Sequence, residues 1–300
     1  MRVRKSPSGE PIQHFDEACA SLLREVLTTA KVINPASSNT PKAKSHAKSK
    51  SLAVIDVGFG CGDQTWELSR LIKLHGWSDL AYVGLTLNQS QLQAASRRLD
   101  REIGEIASTD KRSLSSFRLF GTNAANPASW SPGVRQAIHG LADQEFTEKW
   151  LLGLDCLYHF APSRRPLLKH AAQTMGTNFM AFDLLLNKSA SLRRKIVARL
   201  IGTLMGCPWR AFLTEEEYVR QLVACGYDRK SIVIRDVSED VFVGLVKYLD
   251  RQEMALAHYG ISLGGGFKLA RGLFRWFTRT GVIKGAIVVA RLCGEDSAKR

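Results

Sequence analysis

Seven short, almost continuously apolar runs follow one another along the chain, and helix-length segments separate the first five. The runs span residues 52–57, 81–87, 117–121, 150–155, 179–186, 231–237 and 286–292. Strands that are apolar throughout are typical of parallel sheets covered on both faces, and their alternation with helices is typical of doubly wound folds. The pattern predicts one doubly wound α/β domain with insertions.

Helical signals are clearest in two further segments. Residues 11–33 carry apolar side chains at helical spacing, which predicts a helix. In 214–227, Thr214 followed by Glu217 gives a capping-box pattern, and Gly226 provides a stop signal. Both segments are therefore predicted to be helical.

Residues 34–51 form the clearest boundary in the chain. They are rich in Ser, Lys, Pro and Ala and contain no large apolar side chain, so they cannot bury enough surface to offset chain entropy. We predict a disordered basic linker there, after a helical segment at 1–33. The domain proper then covers 52–300, with helical cap insertions at about 187–213 and 250–281.

Composition excludes several classes of protein. The apolar fraction is 45% and the charged fraction 23%, which is ordinary for a globular chain. No apolar run approaches the roughly 18–20 residues that span a bilayer, and six scattered cysteines form neither a disulfide scaffold nor a zinc pattern. We expect no metal site, and a reducing, cytoplasmic location.

The net charge of +14 is concentrated locally. Residues 34–51, 188–210 and 264–291 together hold 16 of the 42 basic residues and no acidic one, which leaves the rest of the chain near neutrality. This distribution favours local contact surfaces for anions over a general nucleic-acid coat.

A glycine-rich turn follows the first apolar run. The sequence VIDVGFGCGD places Gly58, Gly60 and Gly62 between a buried strand and a helix. Glycine permits positive φ and close approach of a ligand to the backbone, next to the exposed N–H groups of a helix N-terminus. The dinucleotide fingerprint fits poorly, because Asp63 stands at the position of its third glycine. The second run is also followed by Asn88 and not by the acid that the fingerprint expects.

Three motifs in order resemble class I S-adenosylmethionine-dependent methyltransferases. The glycine turn is similar to their first motif. VGLTLNQSQ at 83–91 is similar to the second-strand signature of the branch that contains sterol, tocopherol, phosphoethanolamine and cyclopropane-forming enzymes. FGTNAANPASW at 120–130 resembles the adenine-flanking segment, with Asn123 where the family has Asp. The resemblance covers about 52–186 and implies a mostly parallel, seven-stranded, Rossmann-like sheet.

The resemblance also implies which residues bind S-adenosylmethionine. The three glycines would face its methionine portion, and Asp56 would either orient the turn or contact the ligand. The ribose and adenine would lie between two further groups. These are Thr86, Leu87 and Gln91 on one side, and Asn123 and Ala124 on the other.

The fourth run ends in Asp155-Cys-Leu-Tyr158-His159. Carboxyl ends of parallel strands face the ligand crevice, so we assign Asp155 to the cofactor side, and Tyr158 and His159 to catalysis. Cyclopropane-forming enzymes carry a glutamate where Tyr158 falls, so cyclopropanation is not expected. His159 is the candidate general base, and its alternative role is to cap the following helix.

The expected reaction is methyl transfer to a small, lipophilic acceptor. RNA methylation, or cofactor binding without methyl transfer, are the alternatives. Two amphipathic basic segments, 188–205 and 266–280, fall where the resembling branch places its acceptor cap. Either their apolar faces cover the sheet, or they form an acceptor pocket that faces an anionic membrane surface, which would make the protein peripherally membrane-associated.

Overall fold

A computed structural model describes residues 12, 14–34, 50–107 and 117–293, without the side chains of 102–107. Within these residues, seven strands form one sheet. They are β1 (Ser51–Val57), β2 (Asp79–Thr86), β3 (Phe117–Gly121), β4 (Glu148–Leu154), β5 (Asn178–Leu186), β6 (Val233–Asp236) and β7 (Ile283–Ala290). The predicted strands are confirmed, with end shifts of up to three residues.

The sheet has the order β3-β2-β1-β4-β5-β7-β6. The pairings among β1 to β5 are all parallel, whereas β7 runs antiparallel to both β5 and β6. The strand order reverses between β1 and β4, so their carboxyl ends open a crevice where ligands bind in doubly wound folds.

Nine α-helices lie in the described part of the chain. They are α1 (Phe15–Thr29), α2 (Asp63–Leu74), α3 (Gln89–Ala107), α4 (Pro132–Asp143), α5 (Arg165–Gln173), α6 (Leu192–Leu204), α7 (Glu215–Cys225), α8 (Gly244–Ala257) and α9 (Gly265–Thr280). The predicted capping box of α7 is present, and Gly226 ends the helix at φ +117°.

Two apolar layers cover the sheet. Side chains of α1, α2 and α9 pack on one face, including Leu23, Leu68 and Phe277. Those of α4, α5 and α7 pack on the other, including Ile138 and Leu167. The N-terminal helix α1 is therefore part of the same core as the sheet.

The structure describes only part of the segments in which the domain boundaries are predicted. Of the basic linker at 34–51, residues 35–49 lie outside the described residues, and Ser51 already belongs to β1. The first predicted cap insertion contains α6. The second is preceded by the start of α8 at Gly244, and α8 and α9 together fill the connection from β6 to β7. In the described part of the chain, no helix combines the length and apolarity needed to cross a bilayer.

Candidate active site

The glycine turn between β1 and α2 is packed on two sides and open on the third. Gly58, Gly60 and Gly62 have φ values of +76°, +64° and +88°. A Cβ atom on Gly58 would lie 2.8 Å from Cys156 Cβ, and one on Gly62 would lie 3.1 Å from Ala95. At Gly60, no atom of the described residues beyond its chain neighbours lies within 4 Å of such a Cβ. The open side of the turn at Gly60 is therefore where a ligand can reach the backbone.

Asp56 lies beneath this turn, buried to 2% exposure. Its Oδ2 accepts a hydrogen bond of 2.8 Å from the Tyr82 hydroxyl. Because that hydroxyl proton is used, the Thr65 hydroxyl, 2.9 Å from the Tyr82 oxygen, is the donor in the second bond. Burial raises the pKa of Asp56 to about 7, against the opposing hydrogen bond from Tyr82. The network connects β1, β2 and the first turn of α2.

The substitution Asp56→Asn is expected to change how stability depends on pH. Below about pH 4 the carboxyl is protonated in both the folded and unfolded states. Between about pH 4 and 7 only the unfolded chain ionises, so this group lowers the free energy of unfolding as pH rises, by up to about 4 kcal/mol.

Because Asn cannot ionise, the free energy of unfolding of the variant relative to the wild-type protein should increase from pH 4 to 8 in urea titrations. Near pH 4 the two proteins should be equally stable. Asp79→Asn, at the exposed start of β2, is the control. A constant difference between Asp56→Asn and wild type across this range would contradict the burial argument.

The end of β2 forms the next part of the site. The buried Thr86 hydroxyl donates to Gln91 Oε1 at 3.3 Å and accepts from the Asn88 N–H at 3.2 Å. Asn88 Oδ1 in turn accepts from the Gln91 N–H at 3.1 Å, at the start of α3. Leu87 follows the strand and is 71% exposed, so an apolar side chain stands uncovered beside the crevice.

Asn123 and Ala124 lie just after β3. The side-chain Oδ1 of Asn123 accepts a hydrogen bond from the Ala125 N–H at 2.9 Å. The backbone carbonyl of Asn123 accepts one from Trp130 Nε1 at 3.0 Å. Ala124 is buried, and the Thr122 N–H donates to the Thr86 carbonyl. The amide of Asn123 thus fixes the loop, and the ends of β2 and β3 are joined.

The end of β4 lies directly against the glycine turn. Cys156 Sγ donates to the Val57 carbonyl at 3.0 Å, which joins the β4 end to the β1 end. Asp155 has a left-handed backbone, φ +57°, that is unfavourable for a residue other than glycine. Such strain is typical of functional sites, where the surrounding structure holds it in place.

Asp155, Tyr158 and His159 lie close together. The Tyr158 hydroxyl donates to Asp155 Oδ1 at 2.8 Å, and its ring lies 4.5 Å from that of His159. Asp155 reaches solvent at its edge, yet the dense protein around its carboxyl raises the pKa of Asp155 to about 6, against the hydrogen bond from Tyr158. Burial raises the pKa of Tyr158 well above its usual value, so its hydroxyl acts as a donor at neutral pH.

His159 is held between Tyr158 and the segment that follows α6. Its Nδ1 lies 3.5 Å from Cys207 Sγ, and Nε2 forms no hydrogen bond with the described residues. Partial burial lowers the pKa of His159 below 6.5, more than the Asp183 carboxylate raises it. The imidazole is therefore neutral at pH 7 and able to accept a proton.

The structure brings the predicted residues into three adjoining groups. Phe59 of the glycine turn packs over Gly84 of β2, where a Cβ would lie 2.7 Å from its ring. This contact joins the Asp56 and glycine group to the group at the ends of β2 and β3. On the other side, the contact between Gly58 and Cys156 joins the turn to the residues assigned to catalysis.

Sequence reasoning missed a buried ion pair near the site. Arg164 donates to the Asp183 carboxylate and to the Ala211 carbonyl, and the Tyr218 hydroxyl donates to Asp183 Oδ2 at 2.9 Å. Arg164, Asp183 and Tyr218 are at most 2% exposed. The acid within the otherwise apolar run FMAFDLLL was the available signal.

Sequence reasoning also missed that α1 runs close to the site. Burial, followed by the charges of Asp155, Asp16 and Asp63, raises the pKa of the Cys19 thiol to about 11. Cys19 on α1 therefore lies near both the β4 end and the first residue of α2. No pattern within α1 itself could show which part of the sheet it covers.

Solved structures with this fold are found among S-adenosylmethionine-dependent methyltransferases. Phosphoethanolamine N-methyltransferase 2 from Haemonchus contortus, in complex with S-adenosylmethionine, has a TM-score of 0.57 at 12% identity, over 90% of this chain and 53% of that one. A cyclopropane synthase from Mycobacterium tuberculosis also gives 0.57, at 13% identity over 93% and 86%.

Geranyl diphosphate C-methyltransferase from Streptomyces coelicolor has a TM-score of 0.53 at 14% identity, over 92% of this chain and 81% of that one. It was solved with Mg²⁺, geranyl diphosphate and S-adenosylhomocysteine. The chain spans about half the length of the phosphoethanolamine enzyme. No protein-family model matches the sequence, and no curated protein matches it either.

These similarities define the fold of the chain. It has the Rossmann-like fold of class I S-adenosylmethionine-dependent methyltransferases, with the β7 strand antiparallel in the sheet. Solved proteins of the phosphoethanolamine and cyclopropane types, which the second-strand signature predicted, are among those that share it.

Proposed function

We propose that the chain binds S-adenosylmethionine in the crevice above β1, β2 and β4 and transfers its methyl group to a small, lipophilic acceptor. The observation that carries the proposal is the direct contact between the glycine turn and the β4 end, through Gly58 and Cys156. This contact supports the proposal, because the turn that would receive the cofactor then adjoins the segment that carries His159, whose pKa is lowered.

The residues present fit S-adenosylmethionine. The turn is open at Gly60, and the hydroxyl of Thr86 and the amide of Gln91 stand at the end of β2 without a carboxylate. The exposed Leu87 offers an apolar surface for an adenine ring. Asp56 supports the turn from below, since its carboxyl is bonded to Tyr82.

The residues assigned to catalysis would act on the acceptor. When bound, S-adenosylmethionine supplies a sulfonium-activated methyl group, and transfer requires the acceptor atom to be aligned with it. His159 accepts a proton from an acceptor hydroxyl or amine at Nε2, because Nδ1 faces Cys207. Tyr158, hydrogen-bonded to Asp155, holds the His159 ring in place through a tilted ring contact.

The surroundings of His159 support a lipophilic acceptor. The buried Phe212 ring lies 6.2 Å from that of Tyr158, so the aromatic environment extends beyond Tyr158. A structural neighbour was solved with geranyl diphosphate, an apolar chain with an anionic head. Aromatic walls with few polar groups are typical of sites for such molecules.

The proposal is tested by calorimetry and by methyl transfer. We expect S-adenosylmethionine to bind, and label from its methyl group to enter an organic-extractable small molecule from cell extract rather than RNA. Label in the RNA fraction would favour RNA methylation instead. Binding without transfer to either fraction would favour a protein that uses the cofactor without moving its methyl group.

His159→Ala tests the proton acceptor. With the acceptor identified by labelling, we expect kcat to fall by roughly 10²–10⁴ and the affinity for S-adenosylmethionine to stay the same. In the wild-type protein, kcat should rise with pH and reach its plateau before pH 6.5. The reason is that the pKa of His159 is lowered, so its ring is mostly neutral by that pH.

The matched control is His139→Ala, on the exposed side of α4, which should keep full activity. Unchanged kcat in His159→Ala would show that alignment of the acceptor alone drives the reaction.

A further inference from the structure

The helix α6 exposes its apolar residues instead of burying them. Several large side chains on α6 and just after it are 42% to 87% exposed: Leu192, Ile196, Val197, Leu200, Leu204, Met205 and Trp209. Isolated apolar residues on a surface are ordinary, but a contiguous group on one helix marks an interaction site.

The inward face of α6 is narrow and made of small residues. Ala198 and Gly202, one turn apart, are the buried positions of the helix. Phe212 packs on Gly202 so closely that a Cβ there would lie 2.5 Å from its ring. The small residues fix how α6 is rotated, and this rotation turns Ile196 and Leu200 outward.

Basic residues accompany the exposed apolar face. Residues 188–210 contain six Lys or Arg and no acid. Arg193 and Arg194 are exposed, and neither forms an ion pair within the described residues. Lys188, by contrast, is paired with Glu216 at 2.8 Å. The surface around Arg193 and Arg194 therefore combines apolar area with uncompensated positive charge.

The second basic segment is arranged differently. On α9, Phe277 is buried, and Leu273, Phe274 and Trp276 pack against the core. Its Arg271 and Arg275 pair with Asp250 and Glu253 of α8. In this part of α9 the contacts therefore support the interpretation that the apolar face covers the sheet. Its two central arginines form ion pairs within the protein.

The exposed face of α6 lies next to the residues assigned to catalysis. Cys207, three residues after the end of α6, contacts His159, and Phe212 lies beside both Gly202 and Tyr158. A molecule or surface that docks on α6 would therefore lie within a few residues of His159 and Tyr158.

We propose that α6 docks on an anionic lipid bilayer, so that a lipophilic acceptor reaches the His159 side of the crevice from the membrane. The delivery of the acceptor to the crevice rests on the proposed function, whereas the docking of α6 on the bilayer does not. Leu, Ile and Trp side chains with flanking arginines are what an anionic lipid surface binds. A second copy of the chain is disfavoured on this face, because pairing would bring Arg193 and Arg194 of two positively charged molecules together.

Sedimentation of the full chain with vesicles tests the docking. We expect binding to phosphatidylcholine vesicles that contain phosphatidylglycerol, weak binding to phosphatidylcholine alone, and release by added salt. Ile196→Ser with Leu200→Ser should lower partitioning roughly tenfold. Arg193→Glu with Arg194→Glu should lower it by at least about tenfold.

Matched controls separate docking from general effects. Leu74→Ser with Met254→Ser changes two apolar residues on α2 and α8 that are more exposed than Ile196 and Leu200. Arg135→Glu with Lys169→Glu makes the same change in net charge on α4 and α5. Both control pairs should bind vesicles like the wild-type protein.

Equal losses in the control and α6 variants would overturn the proposal, and so would no binding to anionic vesicles at low ionic strength. A dimer in light scattering that Ile196→Ser with Leu200→Ser abolishes would assign the face to self-association and overturn it as well. Calorimetry with S-adenosylmethionine on the same variants should be unchanged. Vesicle binding without any affinity for S-adenosylmethionine would reject the proposed function and leave the docking in place.

Discussion

Gly60→Val is expected to weaken S-adenosylmethionine binding by at least about 100-fold, equivalent to roughly 2.7 kcal/mol. Gly60 holds φ +64°, and a Cβ atom there would have no described protein atom within 4 Å beyond its chain neighbours. Valine there would fill the open side of the turn and favour a different backbone, at a local cost of about 1–2 kcal/mol. Calorimetry measures the affinity, and circular dichroism checks that the variant is folded.

Gly76→Val is the matched control for this experiment. Gly76 follows α2 and has φ +78°, and a Cβ atom there would also have no described protein atom within 4 Å beyond its chain neighbours. The substitution therefore imposes similar backbone strain away from the crevice. It should leave the affinity for S-adenosylmethionine unchanged. Equal affinity in Gly60→Val and Gly76→Val would remove the glycine turn from the binding site.

Arg164→Met is expected to lower the free energy of unfolding by about 3–5 kcal/mol, because it leaves the Asp183 carboxylate buried without its cation. Arg164 is 2% exposed and Asp183 is fully buried, so water cannot replace the lost partner. Methionine keeps most of the side-chain length, which limits the effect of a cavity. Urea unfolding of the wild-type and variant proteins measures the difference.

The double variant Arg164→Met with Asp183→Asn separates charge from packing. It has no buried charge at this place, while Asn can still accept from the Tyr218 hydroxyl, which lies 2.9 Å from the carboxylate in the native protein. We therefore expect the double variant to be more stable than Arg164→Met alone. If both variants lose the same stability, the cost arises from packing around Arg164 and not from the unpaired carboxylate.

Most of the strands and the end signals of helices were predictable because they are local properties. The seven apolar runs became seven strands, and the Thr214 and Glu217 pattern became a capping box. The glycine turn was equally readable, since glycine permits the positive φ that Gly58, Gly60 and Gly62 adopt between a strand and a helix. Local sequence does not give strand direction, so the antiparallel placement of β7 was known only from the structure.

The polar networks of the site could not be predicted. Asp56 was expected at the cofactor turn, but its partner Tyr82 is 26 residues away and lies in a different apolar run. Arg164 directly precedes α5, Asp183 lies on β5, and Tyr218 joins them from α7. Such hydrogen bonds depend on which side chains from distant elements contact each other in the core, and a single sequence does not specify those contacts.

The sequence by itself determined the doubly wound architecture, the glycine turn, the motifs that resemble a methyltransferase, and the presence of two basic amphipathic helices. Only the tertiary structure decided which way those helices face. Helical periodicity reports that a stripe of apolar residues exists, and it does not report what lies opposite. On α9 the apolar residues from Leu273 to Phe277 pack against the core, and Arg271 and Arg275 pair with α8. On α6, Phe212 fills the inward side at Gly202, and the larger apolar residues are exposed to solvent.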